Sequence, residues 1–155
     1  MKEELGRIGQ VKAVEKNFEL NITGFDLPFI GVIDLLAEVD RKNTVADFKT
    51  AVSDYEDHEA PLSDQLTAYQ LAEPEAEQVA YCVLIKTREP KIEWHASNRS
   101  PEQLVEYLSK VGYLAREIKA GHFYKRSGKH CSWCDYLPIC MGDAKKAQET
   151  LVQVG

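Results

Sequence analysis

The sequence predicts an α/β domain on three observations. Val14, Phe18, Leu20 and Ile22 share one parity, while Glu15, Asn17, Glu19 and Asn21 fill the other. With Lys16 as the exception, this is the alternation of a half-buried strand. Phe29 to Val39 is apolar on both parities, as in a strand covered on both faces. Leu104, Leu108, Val111, Ala115 and Ile118 form a stripe at helical spacing.

At 155 residues the chain has the size of one domain with a core of its own. Its 44% hydrophobic and 28% charged residues are ordinary for a globular protein. No apolar run reaches membrane-spanning length and no signal-peptide pattern opens the chain, so a cytoplasmic location is expected. A net charge of −6 argues against a protein that coats nucleic acid nonspecifically. A local basic stretch remains: Lys110, Arg116, Lys119, Lys125, Arg126 and Lys129 stand against Glu117 alone. A solvated helix face and a phosphate-binding patch both account for it.

Residues 1 to 9 allow a turn or two of helix between Glu3 and Ile8. The first strand then runs from Val14 to Ile22, and Thr23-Gly24 and Leu27-Pro28 lead into the second, Phe29 to Val39. Asp40 to Asn43 makes the turn into a third strand, Thr44 to Thr50. A symmetric hairpin centred between Asp40 and Arg41 sets Asp34 directly opposite Asp47, with Cβ atoms about 5 Å apart on one face. Lys49, two residues further, points to that same face.

Ala51 to Leu62 is an acidic loop expected to be mobile. Ser63 caps a helix from Asp64 to about Ala72, on which Gln65 and Tyr69 lie one turn apart. Gln78 to Lys86 is a fourth strand and Lys91 to His95 its partner. Ser100, Pro101 and Gln103 form the N-cap, first turn and capping box of the longest helix, which Gly121 ends. Residues 122 to 130 are a basic loop, Cys131-x2-Cys134-x5-Cys140 follows, and a short polar helix starts after Gly142. Trp94 and His95 read as ordinary packing residues. Tyr107, Tyr113 and Tyr124 interleave with the basic stretch as strand-stacking residues do, although helix packing accounts for the first two.

Charges inside strands that otherwise want a core are costly unless they are used. Two carboxylates and a lysine on one sheet face suit metal-assisted hydrolysis, because Mg²⁺ and Mn²⁺ take oxygen ligands and keep several waters. An Asp-x-Lys alone means little, with roughly one chance match per two chains of this length. Taken singly, Asp34 and Lys49 are explained by a buried ion pair.

In combination, Gly31-Val32-Ile33-Asp34, Asp47-Phe48-Lys49-Thr50, Gln65-Leu66-Thr67-Ala68-Tyr69 and Cys131-Ser132-Trp133-Cys134…Cys140 resemble the PD-(D/E)XK nuclease superfamily. Within it they resemble the RecB-like branch, which includes bacterial recombination nucleases, CRISPR adaptation nucleases and many phage exonucleases. The resemblance runs from about Val14 to Cys140. It implies a restriction-endonuclease-like fold: a mixed central sheet flanked by helices on both sides, with a C-terminal cysteine-cluster lobe. The whole chain, 1–155, is then one nuclease-like domain, with 10–122 its core and 123–155 the cysteine segment.

Carried over position by position, the resemblance makes Asp34, Asp47 and the backbone carbonyl of Phe48 ligands of Mg²⁺ or Mn²⁺. Lys49 becomes the catalytic lysine, and Gln65 and Tyr69 contact the strand or the catalytic groups. Cys131, Cys134 and Cys140 would hold a [4Fe–4S] cluster or zinc, both of which need a fourth ligand. In the family that ligand is a cysteine upstream of the first strand, which this chain lacks. Cys82 reads as a core cysteine; His122 and His130 are the zinc candidates, and three reduced, empty thiols are the remaining alternative.

The family's opening helix, with its metal-reaching histidine or glutamate, is also missing. Glu3, Glu4 and Glu15 are the nearby acids, so the chain is expected to be a fragment or a truncated homologue. The implied activity is metal-dependent DNA hydrolysis, exonucleolytic by analogy with the branch. A rival keeps the fold without chemistry, as a DNA- or partner-binding module stabilised at the cysteines. Implied partners are DNA, a helicase or recombination protein, or a second copy, with no membrane.

Overall fold

The computed structural model describes residues 2–24 and 26–151, and side chains from residue 4 onward; the side chain of Glu3 lies outside the described residues. Two compact units divide the chain, Met1–Arg116 and Glu117–Gly155. The first opens with a single turn of helix, α1 (Lys2–Leu5), and then builds three strands, β1 (Ile8–Leu20), β2 (Phe29–Val39) and β3 (Lys42–Ala51). Helix α2 (Asp64–Ala72) carries the chain over to β4 (Gln78–Ile85), β5 (Lys91–Ser97) and α3 (Pro101–Lys119). The sheet order is β1-β2-β3-β4-β5, antiparallel throughout except for the parallel β3–β4 pair, so the sheet is mixed as expected.

The β2–β3 hairpin turns on Asp40 and Arg41, both at positive φ (51° and 66°). That geometry matches strand twist but strains non-glycine residues. Arg7 holds the strained corner: its guanidinium reaches both Asp40 carboxylate oxygens, and its carbonyl accepts the Asp40 N–H over 3.1 Å. From the turn the register runs Val39↔Lys42 through Leu35↔Ala46, which is the symmetric pairing that the turn sequence predicts.

Strand β1 departs from expectation. It begins at Ile8 rather than Val14, and Val14 is 65% exposed. Its pleat is interrupted at Glu15, which has a φ of 49°. Ala13 packs against the α2-side core and Lys16 forms an ion pair with Glu73 at the end of α2, although an unbroken strand would point them to opposite faces. The interruption has a counterpart on β2. Ile33 and Leu36, three apart, also share the α2-side core, and Asp34 lies between the pairs Lys16↔Ile33 and Val14↔Leu35, across from Glu15. Lys16, the exception in the alternation, was the visible trace of this switch.

The α2 side holds the main core, in which Ile33, Val45, Leu66, Val79 and Val83 are fully buried. Helix α2 spans the predicted residues, with Ser63 Oγ accepting the Leu66 N–H. Helix α3 opens on the predicted capping box, with Ser100 N–H donating to Gln103 Oε1 over 2.9 Å and Gln103 N–H to Ser100 Oγ over 3.3 Å. Tyr107 on α3 meets Phe29 edge-on and Lys110 pairs with Asp64, so α3 lies on the same side as α2. The stripe of α3 is only partly used: Val111 and Ala115 are buried, while Ile118 is half exposed.

On the other face a smaller cluster, Leu35, Ala37 and Ala46 with Ile8 and Trp94, is joined to α1 by the Trp94 indole N–H on the Glu4 carbonyl. Phe48 and Leu84 remain partly exposed, so the larger helices are gathered on one face rather than shared between two. The loop before α2, expected to be mobile, is tied down. Tyr55 packs on Tyr81 and His95, Ala60 is buried, and Arg99 bonds the Ala60 carbonyl. Acidic composition hid those anchors.

The second unit contains a 3-10 turn (Lys129–Trp133), α4 (Leu137–Met141) and α5 (Ala144–Thr150). Gly142, at φ 73°, ends α4, and Asp143 caps α5 by accepting the Lys146 N–H. Pro138 is buried, whereas Trp133, Tyr136 and Met141 are largely exposed. Among the described residues no helix is long and apolar enough to cross a membrane.

Candidate active site

Parallel pairing of β3 with β4 sets Asp47 beside Tyr81 and Lys49 beside Val83. Asp47 and Lys49 therefore face α2 together, and the first turns of α2 present Gln65 and Tyr69 to them. The Gln65 amide holds both charges: its Nε2 donates to Asp47 Oδ1 over 2.7 Å, and its Oε1 accepts from Lys49 Nζ over 2.8 Å. The Tyr69 hydroxyl accepts from Gln65 Nε2 over 2.9 Å and donates to the Val32 carbonyl over 2.8 Å, anchoring the helix to β2. Four side chains from two elements thus form one connected network.

Asp34 joins it differently from the paired-strand expectation. The β2–β3 ladder stops at Leu35↔Ala46, one step short of an Asp34–Asp47 pair. Asp34 lies between the pairs Lys16↔Ile33 and Val14↔Leu35, and its Oδ2 accepts the Phe48 N–H over 2.9 Å. Of the ion pairs expected for Asp34 and Lys49 taken singly, the one at Lys49 forms with Asp47. Lys49 Nζ pairs with Asp47 Oδ2 at 2.6 Å.

Burial governs the charges. The Asp47 side chain is 3% exposed, and desolvation raises its carboxyl pKa, with the nearby Asp34 charge adding to the rise against the pull of Lys49. Burial works to lower the Lys49 pKa, but the Asp47 carboxylate outweighs it, so Lys49 stays firmly protonated. The Tyr69 hydroxyl is pushed up to about 12, chiefly by burial. The Lys49 side chain is 31% exposed and Gln65 is exposed, so the charged end of the network opens to solvent.

Asp47 Oδ2 is buried and, among the described residues, has Lys49 Nζ at 2.6 Å as its one partner. A buried carboxylate oxygen with spare lone pairs, a second carboxylate nearby and a strand carbonyl between Asp47 and Lys49 are hard oxygen donors. They fit a magnesium- or manganese-class ion. The cysteines do not gather in this way. Cys131 and Cys134 are half-buried, Cys140 is exposed, and among the described residues no three His, Cys, Asp or Glu side chains come together to hold an ion. His122 contacts Glu117, and Cys82 is a core residue, as its strand parity indicates.

Two neighbours of the site escaped the sequence reading. The Tyr81 ring lies 5.3 Å from Lys49 Nζ, and the Tyr81 hydroxyl bonds Ser63 Oγ. Arg99, between β5 and α3, bonds four groups around the start of α2. The first depends on a parallel register that no local pattern specifies, and the second is a lone arginine in a linker. Of the three tyrosines noted for stacking, Tyr107 packs on Phe29, Tyr113 is 56% exposed beside Arg116, and Tyr124 is 83% exposed.

A family model described as the PD-(D/E)XK nuclease superfamily matches residues 1–141. No curated protein matches the chain. Among solved structures, that of SSO0001 aligns with a TM-score of 0.55 at 22% identity, covering 83% of this chain and 59% of the other. A putative exonuclease from Eubacterium rectale aligns with a TM-score of 0.57 at 13% identity, covering 100% of this chain and 57% of the other. At these identities the two share a fold with this chain, which spans less than two thirds of the length of either.

Proposed function

The chain belongs to the PD-(D/E)XK nuclease superfamily, and from that premise we propose that it is a magnesium- or manganese-dependent deoxyribonuclease that hydrolyses phosphodiester bonds from a DNA end. The observation that carries this reading is the single amide of Gln65 holding Asp47 and Lys49 at 2.7 and 2.8 Å, with the buried Asp47 Oδ2 facing Lys49 Nζ.

Asp34, Asp47 and the Phe48 carbonyl are the groups that would hold the metal. Bound there, it would supply a Lewis acid that neutralises phosphate charge and acidifies a water. Lys49 acts as a fixed cation and hydrogen-bond donor, orienting the attacking water and stabilising the charge that develops on phosphorus-bound oxygens. It is not the base, because Asp47 keeps it protonated. Tyr69 donates to the Val32 carbonyl and, with its pKa near 12, serves as a strut. Gln65, exposed at the mouth of the network, holds one Lys49 ammonium proton on its Oε1, and Asp47 takes a second, leaving the third for a strand oxygen. Water adds to phosphorus and gives up a proton to solvent as the ester bond breaks, and the departing alkoxide takes a proton from solvent.

The end-directed mode follows the description of the Eubacterium rectale structure as a putative exonuclease. Settings consistent with it are DNA repair, recombination, and phage or CRISPR-related DNA processing. The cysteines, not gathered around a common centre, enter no step.

The test is degradation of end-labelled linear DNA and of a closed circle, with Mg²⁺ or Mn²⁺, by wild type, Asp47→Ala and Lys49→Ala. Loss of the linear substrate alone, by wild type alone, is expected. A folded wild type that cleaves neither overturns the enzyme reading in favour of a binding module.

A further inference from the structure

Outside the proposed catalytic network the Arg99 guanidinium makes four hydrogen bonds, and among the described residues no carboxylate holds it. Its Nε donates to Thr67 Oγ1 over 2.7 Å and its Nη1 to Ser97 Oγ over 2.8 Å. Its Nη2 donates to the Ala60 carbonyl over 2.8 Å and to the Ser63 carbonyl over 3.1 Å. These acceptors belong to three separate segments: the loop before α2, the first turn of α2, and the end of β5. Every one is neutral, so the guanidinium is held by geometry rather than by a counter-charge. A rigid, planar five-donor fork suits such a job and an ammonium does not.

The clamped points lead directly to the site. Ser63 is the N-cap of α2, and Gln65 sits two residues after it. Ser63 Oγ also bonds the Tyr81 hydroxyl, and the Tyr81 ring lies 5.3 Å from Lys49 Nζ. Two routes therefore run from Arg99 to Lys49, one through the helix to the Gln65 amide and one through Ser63 to the aromatic ring. In the first turn of α2 Asp64 and Gln65 are exposed and Leu66 is buried, a contact that is not directional as the Arg99 bonds are. The helix interior, Leu66 to Tyr69, is buried but tolerates sliding better than directional bonds do.

We propose that Arg99 is a positioning residue: it sets the start of α2 against β4 and β5 so that one Gln65 amide spans Asp47 and Lys49. The proposal rests on the nuclease reading for its kinetic consequence and on geometry alone for its structural one. A displacement of about 1 Å in a group that orients a reacting centre costs about a hundredfold in rate. Arg99→Lys keeps a cation but cannot reach acceptors in three segments at once.

The experiment compares wild type, Arg99→Lys, Gln65→Ala and the double variant, each first shown to be folded by thermal melting. Thr67→Val, which deletes only the Nε acceptor, serves as the milder variant if Arg99→Lys does not fold. Expected is a kcat loss of about a hundredfold in Arg99→Lys with KM within about twofold. The double variant is then no slower than Gln65→Ala, because Arg99 acts through Gln65. A second arm needs no activity: the Gln65 side-chain amide protons, protected from exchange in wild type by Asp47 and Tyr69, lose protection in Arg99→Lys. Unchanged kcat, additive losses or unchanged Gln65 protection overturns the proposal. If wild type itself cleaves nothing, the exchange arm still decides it while the enzyme reading fails separately.

Discussion

Gln65 Nε2 donates to Asp47 Oδ1 over 2.7 Å, so a neutral amide supports the most deeply buried carboxylate of the proposed site. The other end of that amide, and no second carboxylate, supports Lys49. Because charge and support are separated in this way, individual substitutions should give distinguishable results.

Asp47→Asn should remove activity without lowering stability at neutral pH. Burial raises the Asp47 pKa above its unfolded value, so ionised Asp47 disfavours the fold. Its contribution to stability is complete below the unfolded carboxylate pKa and is lost as pH rises through the higher folded one. The variant's melting temperature should therefore equal or exceed that of wild type at pH about 7, and the difference should close as pH falls toward 4. Thermal melts across that range measure it.

Lys49→Met should abolish cleavage and also destabilise the protein at neutral pH, by about 1–2 kcal/mol. Asp47 would then keep its buried charge without its nearest cation. The deficit should shrink on acidification as Asp47 takes a proton. Urea unfolding at two pH values tests the pair of signs.

Added Mg²⁺ should raise the wild-type melting temperature, and a chelator should reverse the rise. A ligand at a hundred times its dissociation constant contributes about 2.7 kcal/mol. Asp47→Asn should show little of the shift, since it replaces one of the two proposed carboxylate ligands.

Gly31→Ala should cost about 1–3 kcal/mol by overpacking. A Cβ at Gly31 would stand 2.5 Å from the tip of the Phe18 ring. That ring stacks on Phe29 and meets Tyr69 edge-on, so it has little room to move. A denaturation midpoint that matches wild type would show that the ring yields.

A thiol reagent should modify Cys131, Cys134 and Cys140 in the native protein and spare Cys82. The first three are exposed or half-buried, while Cys82 is buried and its thiol pKa is raised to about 11 by desolvation. Mass spectrometry after a short exposure counts the adducts. A mass of three adducts, with Cys82 reacting only as the protein unfolds, is expected.

The elements whose causes are local were legible in the sequence. Ser63 and Ser100 carry their caps within three residues, and the Asp40-Arg41 turn dictates the register up to Leu35↔Ala46. Local spacing puts Asp47 with Lys49 on one strand face and Gln65 with Tyr69 on one helix face, but only the resemblance to the nuclease superfamily joins the two pairs. What failed needed long-range information. Val14 keeps an apolar side chain on an edge strand that leaves it exposed, and the backbone switch at Glu15 reverses the parity on which its assignment rested. The Asp34–Asp47 pairing fails because the ladder ends at Leu35↔Ala46, one step before it. Tyr81 and Arg99 reach the site through a parallel pairing and a linker, neither of which leaves a periodic mark.

The parallel β3–β4 pair also implies an order of assembly. The β2–β3 hairpin closes through a two-residue turn, so Asp34 and Asp47 can be brought near each other early. Gln65 and Tyr81 arrive only after the chain from residue 52 to residue 77 has crossed over, and that longer loop costs more entropy to close. The acids are therefore expected to be in place before the amide and ring that restrain Lys49. In that interval the pair of carboxylates lacks its organised cation, so the closing of the crossover should be the step most sensitive to divalent metal in a refolding experiment.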